Sequence, residues 1–362
     1  MRLTPCTALV AALLTNVLAQ PTIEERAGKF TFYDMLTRAA GPCDLCTGPD
    51  GQIWSEDILV NKLFSINPET GKVRELAIPF TTPLSNETIP GVSQSIQDRT
   101  ALSCAIRPRS DENLYAYNGL RNQLVRINPT TKQIKVLQGP VNPAGDLQPF
   151  NDITEAPGGM YVTQTSGNTF QYYDFSDESF TTYEVPTPAS FPLGLKVASN
   201  GKLYVAELIG NRILEFDPET KAMKEFPLPL PLQGPAVVRA ERNGYVYFSL
   251  FTGNGIGRIN IETHKIDLYP SSTQGGLGAE DTLDSKGGVW LSYFTANVLA
   301  RLDTNTFKYK YVPFPDTFAR GGLSGILGDI PPYVDVAVHY GPGDAVWFAS
   351  IIENKVGRYA LS

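Results

Sequence analysis

A short apolar strand ending in an aromatic ring recurs seven times along this chain, and it constrains the fold more than any other feature. The copies are Gln52-Ile53-Trp54, Asn113-Leu114-Tyr115, Gly159-Met160-Tyr161, Lys202-Leu203-Tyr204, Tyr245-Val246-Tyr247, Gly288-Val289-Trp290 and Ala345-Val346-Trp347. Successive aromatic positions lie 61, 46, 43, 43, 43 and 57 residues apart. A period of roughly 40–45 residues is that of one four-stranded propeller blade. An asparagine follows each aromatic by seven positions, at Asn61, Asn122, Asn168, Asn211, Asn254, Asn297 and Asn354. Asparagine tolerates left-handed backbone and can bond its own turn, so these residues are expected to be structural.

Within one unit, Leu195–Ala198, Leu203–Ala206, Arg212–Asp217 and a last stretch ending near Pro227 read as four strands, separated by turns such as Ser199-Asn200-Gly201 and Pro218-Glu219-Thr220. The expected fold is therefore all-β, a seven-bladed β-propeller of four-stranded blades. The last unit ends after three strands, at Arg358–Leu361, and Lys29–Leu36 is expected to supply the missing outer strand and close the ring. Composition agrees: 42% hydrophobic and 19% charged residues, with 32 Gly and 28 Pro, favour many short strands joined by turns. Thirty basic against 37 acidic residues, with no Lys/Arg block, exclude nucleic acid as a partner.

Arg2, the apolar run Ala8–Ala19 and the small residues before position 20 have the pattern of a signal peptide over residues 1–19. A segment at 20–28 and a single domain over 29–362 would follow, secreted to the extracellular space, monomeric and without a membrane span. In that oxidising setting Cys43, Cys46 and Cys104 allow one disulfide and one leftover thiol. Either member of Cys43-x-x-Cys46 could partner Cys104, and a Cys46–Cys104 bridge is taken as the expectation. Asn86-Glu87-Thr88 is a glycosylation sequon, marking Asn86 as a surface acceptor.

Gly41-Pro42-Cys43-Asp44-Leu45 with Gly48-Pro49-Asp50-Gly51-Gln52-Ile53-Trp54, and Gly253-Asn254-Gly255-Ile256-Gly257-Arg258-Ile259, resemble the virginiamycin B lyase (streptogramin lyase) family of propellers. Phe150-Asn151-Asp152-Ile153 adds a looser similarity to lactonases of the SMP-30/gluconolactonase type. The first resemblance implies opening of a cyclic depsipeptide at its ester by elimination, with magnesium, an acidic residue and two histidines near the top of the channel. The histidine places hold Glu280 and Asp335 here, and the family's acidic place falls near Ile351 or Ile352, one step from Glu353. The chain's two histidines lie elsewhere: His264 in an outer hairpin turn, and His339 after the seventh innermost strand, toward the opposite end of the channel.

Counting back about ten residues from each aromatic locates the start of every innermost strand, and the ring reads Asp44, Ser103, Asn151, Gly194, Val237, Glu280 and Asp335. Hard oxygen donors of this kind suit Ca²⁺ or Mg²⁺, so Asp44, Asn151, Glu280 and Asp335 are candidate ligands of a divalent cation. Glu280 and Asp335 are also the candidate catalytic acid and base. Tyr117, Tyr293 and Glu207, at the turns after the second strands, are candidate substrate contacts. Long insertions at roughly Pro79–Gln97 and Asp316–Pro332 are expected to rim the mouth. No nucleotide-binding glycine pattern stands in the right context, and no organic cofactor is expected. The expected function is action on an ester or lactone of a small natural product, cyclic ones included. The alternative is a non-catalytic propeller whose mouth binds a small molecule, glycan or protein.

Overall fold

The computed structural model describes residues 23–27, 29–79, 104–118, 123–138, 152–273, 276–315 and 335–362. The described residues form seven antiparallel sheets, six of them built from four consecutive strands. The seventh combines Asp335–Gly341, Ala345–Ser350 and Lys355–Ala360 with the N-terminal Phe30–Asp34, which pairs from Phe30↔Tyr359 to Asp34↔Lys355. The ring therefore closes as expected, with chain start and chain end in one blade. Ile23–Ala27 adds a fifth strand outside Phe30–Asp34. The expected signal peptide, the Asn86 sequon and nearly all of the two expected insertions lie outside the described residues.

The repeated aromatic explains why the units must come as a ring. Trp54 of blade 1 packs with Ile106 and Leu114 of blade 2, Tyr204 of blade 4 with Val238 and Phe248 of blade 5, and Trp347 of blade 7 with Leu45 and Phe64 of blade 1. Tyr115, Tyr161, Tyr247 and Trp290 sit likewise in clusters shared with the following blade. Burying each large side chain stabilises by ~2–3 kcal/mol relative to exposure, and only a neighbouring blade provides the burial. Second strands such as Leu203–Glu207 are buried on both faces, whereas outer strands such as Met223–Pro227 are partly exposed throughout. The former consequently read as continuous apolar runs.

The repeated asparagines fasten one blade to the next. Asn168, Asn211, Asn254 and Asn354 are left-handed, with φ of 51° to 58°, as anticipated. Their side chains reach beyond their own turn. Asn211 Nδ2 donates to Leu230 O at 2.9 Å, while its Oδ1 accepts from Gln233 N at 2.8 Å and Gly234 N at 3.2 Å. Asn354 does the same across the closure, donating to Thr37 O at 2.9 Å and accepting from Ala40 N at 2.7 Å. These bonds hold the connections that surround the channel mouth.

Candidate active site

The innermost strands place charged side chains in the channel. They are Pro42–Thr47, Ile106–Pro108, Ile153–Ala156, Pro192–Val197, Pro235–Arg242, Gly278–Leu283 and Asp335–Gly341 for blades 1 to 7. Five of them, in blades 1, 4, 5, 6 and 7, change register near their start. Such an irregularity re-aims the side chains around it. Asp44 sits within one of them at φ 56°, a backbone its carboxylate helps to hold by accepting from Leu45 N at 2.7 Å.

Three acids and two arginines meet there. Arg107 Nη1 reaches both oxygens of Asp44, and its Nη2 lies 3.2 Å from Glu280 Oε1 and 3.5 Å from Asp152 Oδ1. Arg239 donates through Nε to Glu280 Oε1 at 3.0 Å and through Nη2 to Asp152 Oδ1 at 2.7 Å. Each acid also ties its blade to the next. Asp44 Oδ2 accepts from Ile106 N at 2.8 Å, Asp152 Oδ2 from Leu195 N at 2.9 Å and Glu280 Oε2 from Val338 N at 3.2 Å. Burial raises Asp152 to about 7, opposed by the Arg107 charge and assisted by that of Asp44. Burial and the Asp44 charge likewise push Glu280 well above the ordinary carboxyl range, against the pull of Arg107. One proton held between Asp152 and Glu280 would make this set of three acids and two bases neutral.

Above the cluster lies a cavity of about 270 Å³. Asp44, Asp152, Arg239 and Glu280 form its charged part, and Phe191, Leu193, Leu208, Phe251 and Phe294 contribute most of its apolar wall. A small molecule with an apolar body and one polar end fits such a space.

The sequence-based ring is thus realised in part. Asp44 and Glu280 converge as expected. Asn151 lies outside the described residues, and its neighbour Asp152 occupies the channel in blade 3. Asp152 falls nine rather than ten residues before the aromatic, just ahead of a strand whose register is regular over Ile153–Ala156. Asp335 opens the innermost strand of blade 7, but its side chain is outside the described residues. The expected substrate contacts do not line the cavity. Tyr117 is buried in the core between blades 2 and 3. Tyr293 is also buried, donating its hydroxyl to Ser271 Oγ at 2.8 Å. Glu207 is buried at the strand end opposite Arg212 and raised to about 8, first by burial and then by the Glu225 charge.

The disulfide joins Cys43, not Cys46, to Cys104, with the Cα atoms 5.2 Å apart. The irregularity between Cys43 and Cys46 separates their directions, and Cys46 is buried as a free thiol with Trp54 and Ile106. Neither histidine faces the cavity. His264 stacks on Phe226 at 4.5 Å and bonds Glu215 at 2.9 Å. His339 lies within the seventh innermost strand, bonded to Thr47 Oγ1 at 2.8 Å and lowered to about 4 by burial and by Arg107.

The described donors do not fit a divalent cation. Ca²⁺ and Mg²⁺ require six or more oxygen ligands with free lone pairs. The oxygens of Asp44 and Asp152 already accept backbone and guanidinium bonds, and two fixed positive charges occupy the space a cation would need. No reaction step is therefore assigned to a metal.

The two arginines stand two residues closer to the repeated aromatic than the ring positions Asp44 and Glu280. Counting back eight residues from Tyr115 and Tyr247 gives Arg107 and Arg239, and the same count from Trp347 gives His339.

The sequence profile of the virginiamycin B lyase family matches residues 92–321. The chain belongs to that family. Three solved structures share its architecture. A streptogramin B lyase superposes with a TM-score of 0.74 at 20% identity, covering 92% of this chain and 97% of its own. Virginiamycin B lyase from Staphylococcus aureus gives 0.74 at 21% identity, covering 92% and 99%. A catalytically inactive form of the Staphylococcus aureus lyase with quinupristin gives 0.74 at 22% identity, covering 92% and 99%. At this identity the three establish the fold. No curated protein matches the chain.

Proposed function

We propose that this propeller opens an ester or lactone of a small, mainly apolar molecule held in the channel-mouth cavity, with Glu280 moving the proton. The reading rests on one observation: Glu280 borders an apolar cavity while its Oε1 is held by two guanidinium groups and its Oε2 by a single 3.2 Å backbone bond. Family membership supports a small-molecule ester as the target. As a carboxylate, Glu280 would take the proton from the carbon beside a carbonyl. The C–H electron pair forms a C=C bond, the adjacent C–O bond breaks and the ester oxygen leaves as a carboxylate. Arg239, which also borders the cavity, would stabilise the negative charge that develops. The step consumes no water, so a cyclic substrate and its product have the same mass.

A second reading is binding without turnover. It is favoured by the saturation of Asp44 and Asp152, which have the hydrogen-bonding of a structural plug. One experiment separates the two. The protein and its Glu280→Gln variant are incubated with cyclic depsipeptides and lactones, and products are followed by mass spectrometry alongside calorimetric binding. The catalytic reading expects ring-opened product of unchanged mass and a loss of roughly 10²–10⁴-fold in rate for the variant. A product gaining one water would replace elimination with hydrolysis, and binding with no product would establish the second reading.

A further inference from the structure

We infer that the cavity's ligand is an apolar molecule longer than the cavity, whose outer part lies on a lip formed by Phe191, Ile209, Leu230 and Leu232. This deepens the reading of the cavity as a small-molecule site and rests on it. Among the described residues the exposed large hydrophobic side chains are Ile209, Leu230 and Leu232, at 67%, 54% and 83% exposure. All belong to the loops at one end of blade 4. Ile209 follows the cavity-lining Leu208 directly, and Leu230 and Leu232 lie on the connection to blade 5, which Asn211 clamps.

The repeats show that the fold does not require these residues. The same asparagine clamp holds Ala40 and Gly41 before blade 1, Ser190 before blade 4, and Gln233 and Gly234 before blade 5. Aligned on that clamp, Ala39, Ala189 and Leu232 share left-handed φ values of 51°, 52° and 54°. Two positions on, Gly41, Phe191 and Gly234 share φ values of 71°, 61° and 56°. Left-handed backbone suits glycine and strains a bulky side chain. Leu232 stands where two other blades have alanine, and Phe191 where two have glycine. Strain that the architecture does not need points to function. Phe191 lines the cavity, so the departures run from its wall out onto the lip.

Size selects the occupant. The cavity, at about 270 Å³, lies at the lower edge of the ~300–1,000 Å³ usual for small-molecule sites, so a ligand of ordinary size whose polar end reached Glu280 would project past the rim. Three aliphatic side chains offer much less than the ~800 Å² per partner of a stable protein interface, which argues against a second copy.

The test uses γ-lactones carrying n-alkyl chains of about four to about twelve carbons, titrated calorimetrically into the full-length protein, with turnover measured separately. Wild-type affinity is expected to rise roughly two- to fourfold per methylene for the longer chains. The triple variant Ile209→Ser/Leu230→Ser/Leu232→Ser should keep its affinity for the shortest lactone and lose that rise. Phe191→Gly should raise Tm while weakening long-chain binding, whereas a merely structural phenylalanine would lower Tm. An unchanged chain-length dependence in the triple variant overturns the lip, as does the absence of binding by any member. A triple variant altered only in self-association or in binding to phosphatidylcholine vesicles also overturns it. Chain-length-dependent binding together with no ring opening of cyclic depsipeptides supports the lip and refutes the catalytic reading alone; the γ-lactones carry no proton that is both beside the carbonyl and next to the C–O bond, so they report binding only.

Discussion

Arg107 Nη1 lies 2.7 and 2.6 Å from the two carboxylate oxygens of Asp44, across the boundary between blades 2 and 1. Both side chains are largely buried, so the pair exchanges hydration for this contact and for the bonds around it. Buried pairs of this type stabilise little against an apolar replacement but are costly to break singly. Their contribution here is placement: Arg107 also reaches Glu280 and Asp152, and so sets the charge that faces the cavity.

Arg107→Ala should accordingly leave three buried acids against one guanidinium and destabilise the protein by about 3–5 kcal/mol near pH 7. Arg107→Met combined with Asp44→Asn should recover much of that loss, since asparagine suits the left-handed backbone at φ 56°, keeps an acceptor for the neighbouring backbone N–H groups, and no lone charge is left between these two blades. Urea unfolding of the single and double variants checks both statements. A single variant as stable as the wild type would show that the cluster is not closed as described.

The architecture was legible because its signal is repeated and local. Trp54 and its six counterparts must be buried against a neighbour, and Asn211 and its counterparts must adopt one turn, so period and residue type coincide. The closing strand could be found because Arg358–Leu361 lacked a partner. The site was legible only at Asp44 and Glu280. Arg107 and Arg239 stand two positions further along their strands than Asp44 and Glu280 do, so a ring taken at one register passes over them. The irregularity between Cys43 and Cys46 leaves no mark in residue type, and it decided Cys43 over Cys46.

The cysteine assignment has a direct chemical check. Cys43 and Cys104 are bonded and Cys46 is a buried thiol whose pKa is raised by burial. Alkylation of the native protein should therefore leave Cys46 unmodified, and denaturation without reductant should expose it to modification while Cys43 and Cys104 stay linked. Peptide mapping by mass spectrometry reads the pairing. Cys104→Ala should cost about 2–4 kcal/mol, as expected for losing a bridge that closes a loop of this length.

His339 predicts an acid-side loss of stability. Its native pKa is about 4, against about 6.5 in an unfolded chain, so the unfolded state binds the extra proton between those values. Stability is then fully present above about pH 6.5 and falls as pH drops toward 4, by up to ~1.4 kcal/mol per pH unit. His339→Gln can retain a bond to Thr47 and should flatten that decline relative to the wild type. Unfolding curves at pH 7, 6, 5 and 4 test this, and an identical pH dependence in the variant would mean that His339 takes up its proton as readily in the native protein as in the unfolded chain.

Asp281 predicts the opposite slope on the neutral side. It is buried beside Glu280 in sequence, accepts a bond from Ala240 N at 3.0 Å, and is raised by burial to about 8, with Lys196 opposing. The folded state therefore holds a proton that the unfolded chain has released above about pH 4. Stability from this group is present below the unfolded value and is lost as pH rises toward 8, by up to ~1.4 kcal/mol per pH unit. Asp152 and Glu207, raised to about 7 and 8, act in the same direction, so the wild-type slope alone cannot isolate Asp281. The difference between wild type and Asp281→Asn does. Asparagine keeps an acceptor for Ala240 and carries no charge at any of these pH values, so the variant should gain on the wild type steadily from pH 5 to pH 8. A constant difference across that range would mean that Asp281 is already ionised in the folded protein and that its burial is compensated by a charge other than Lys196.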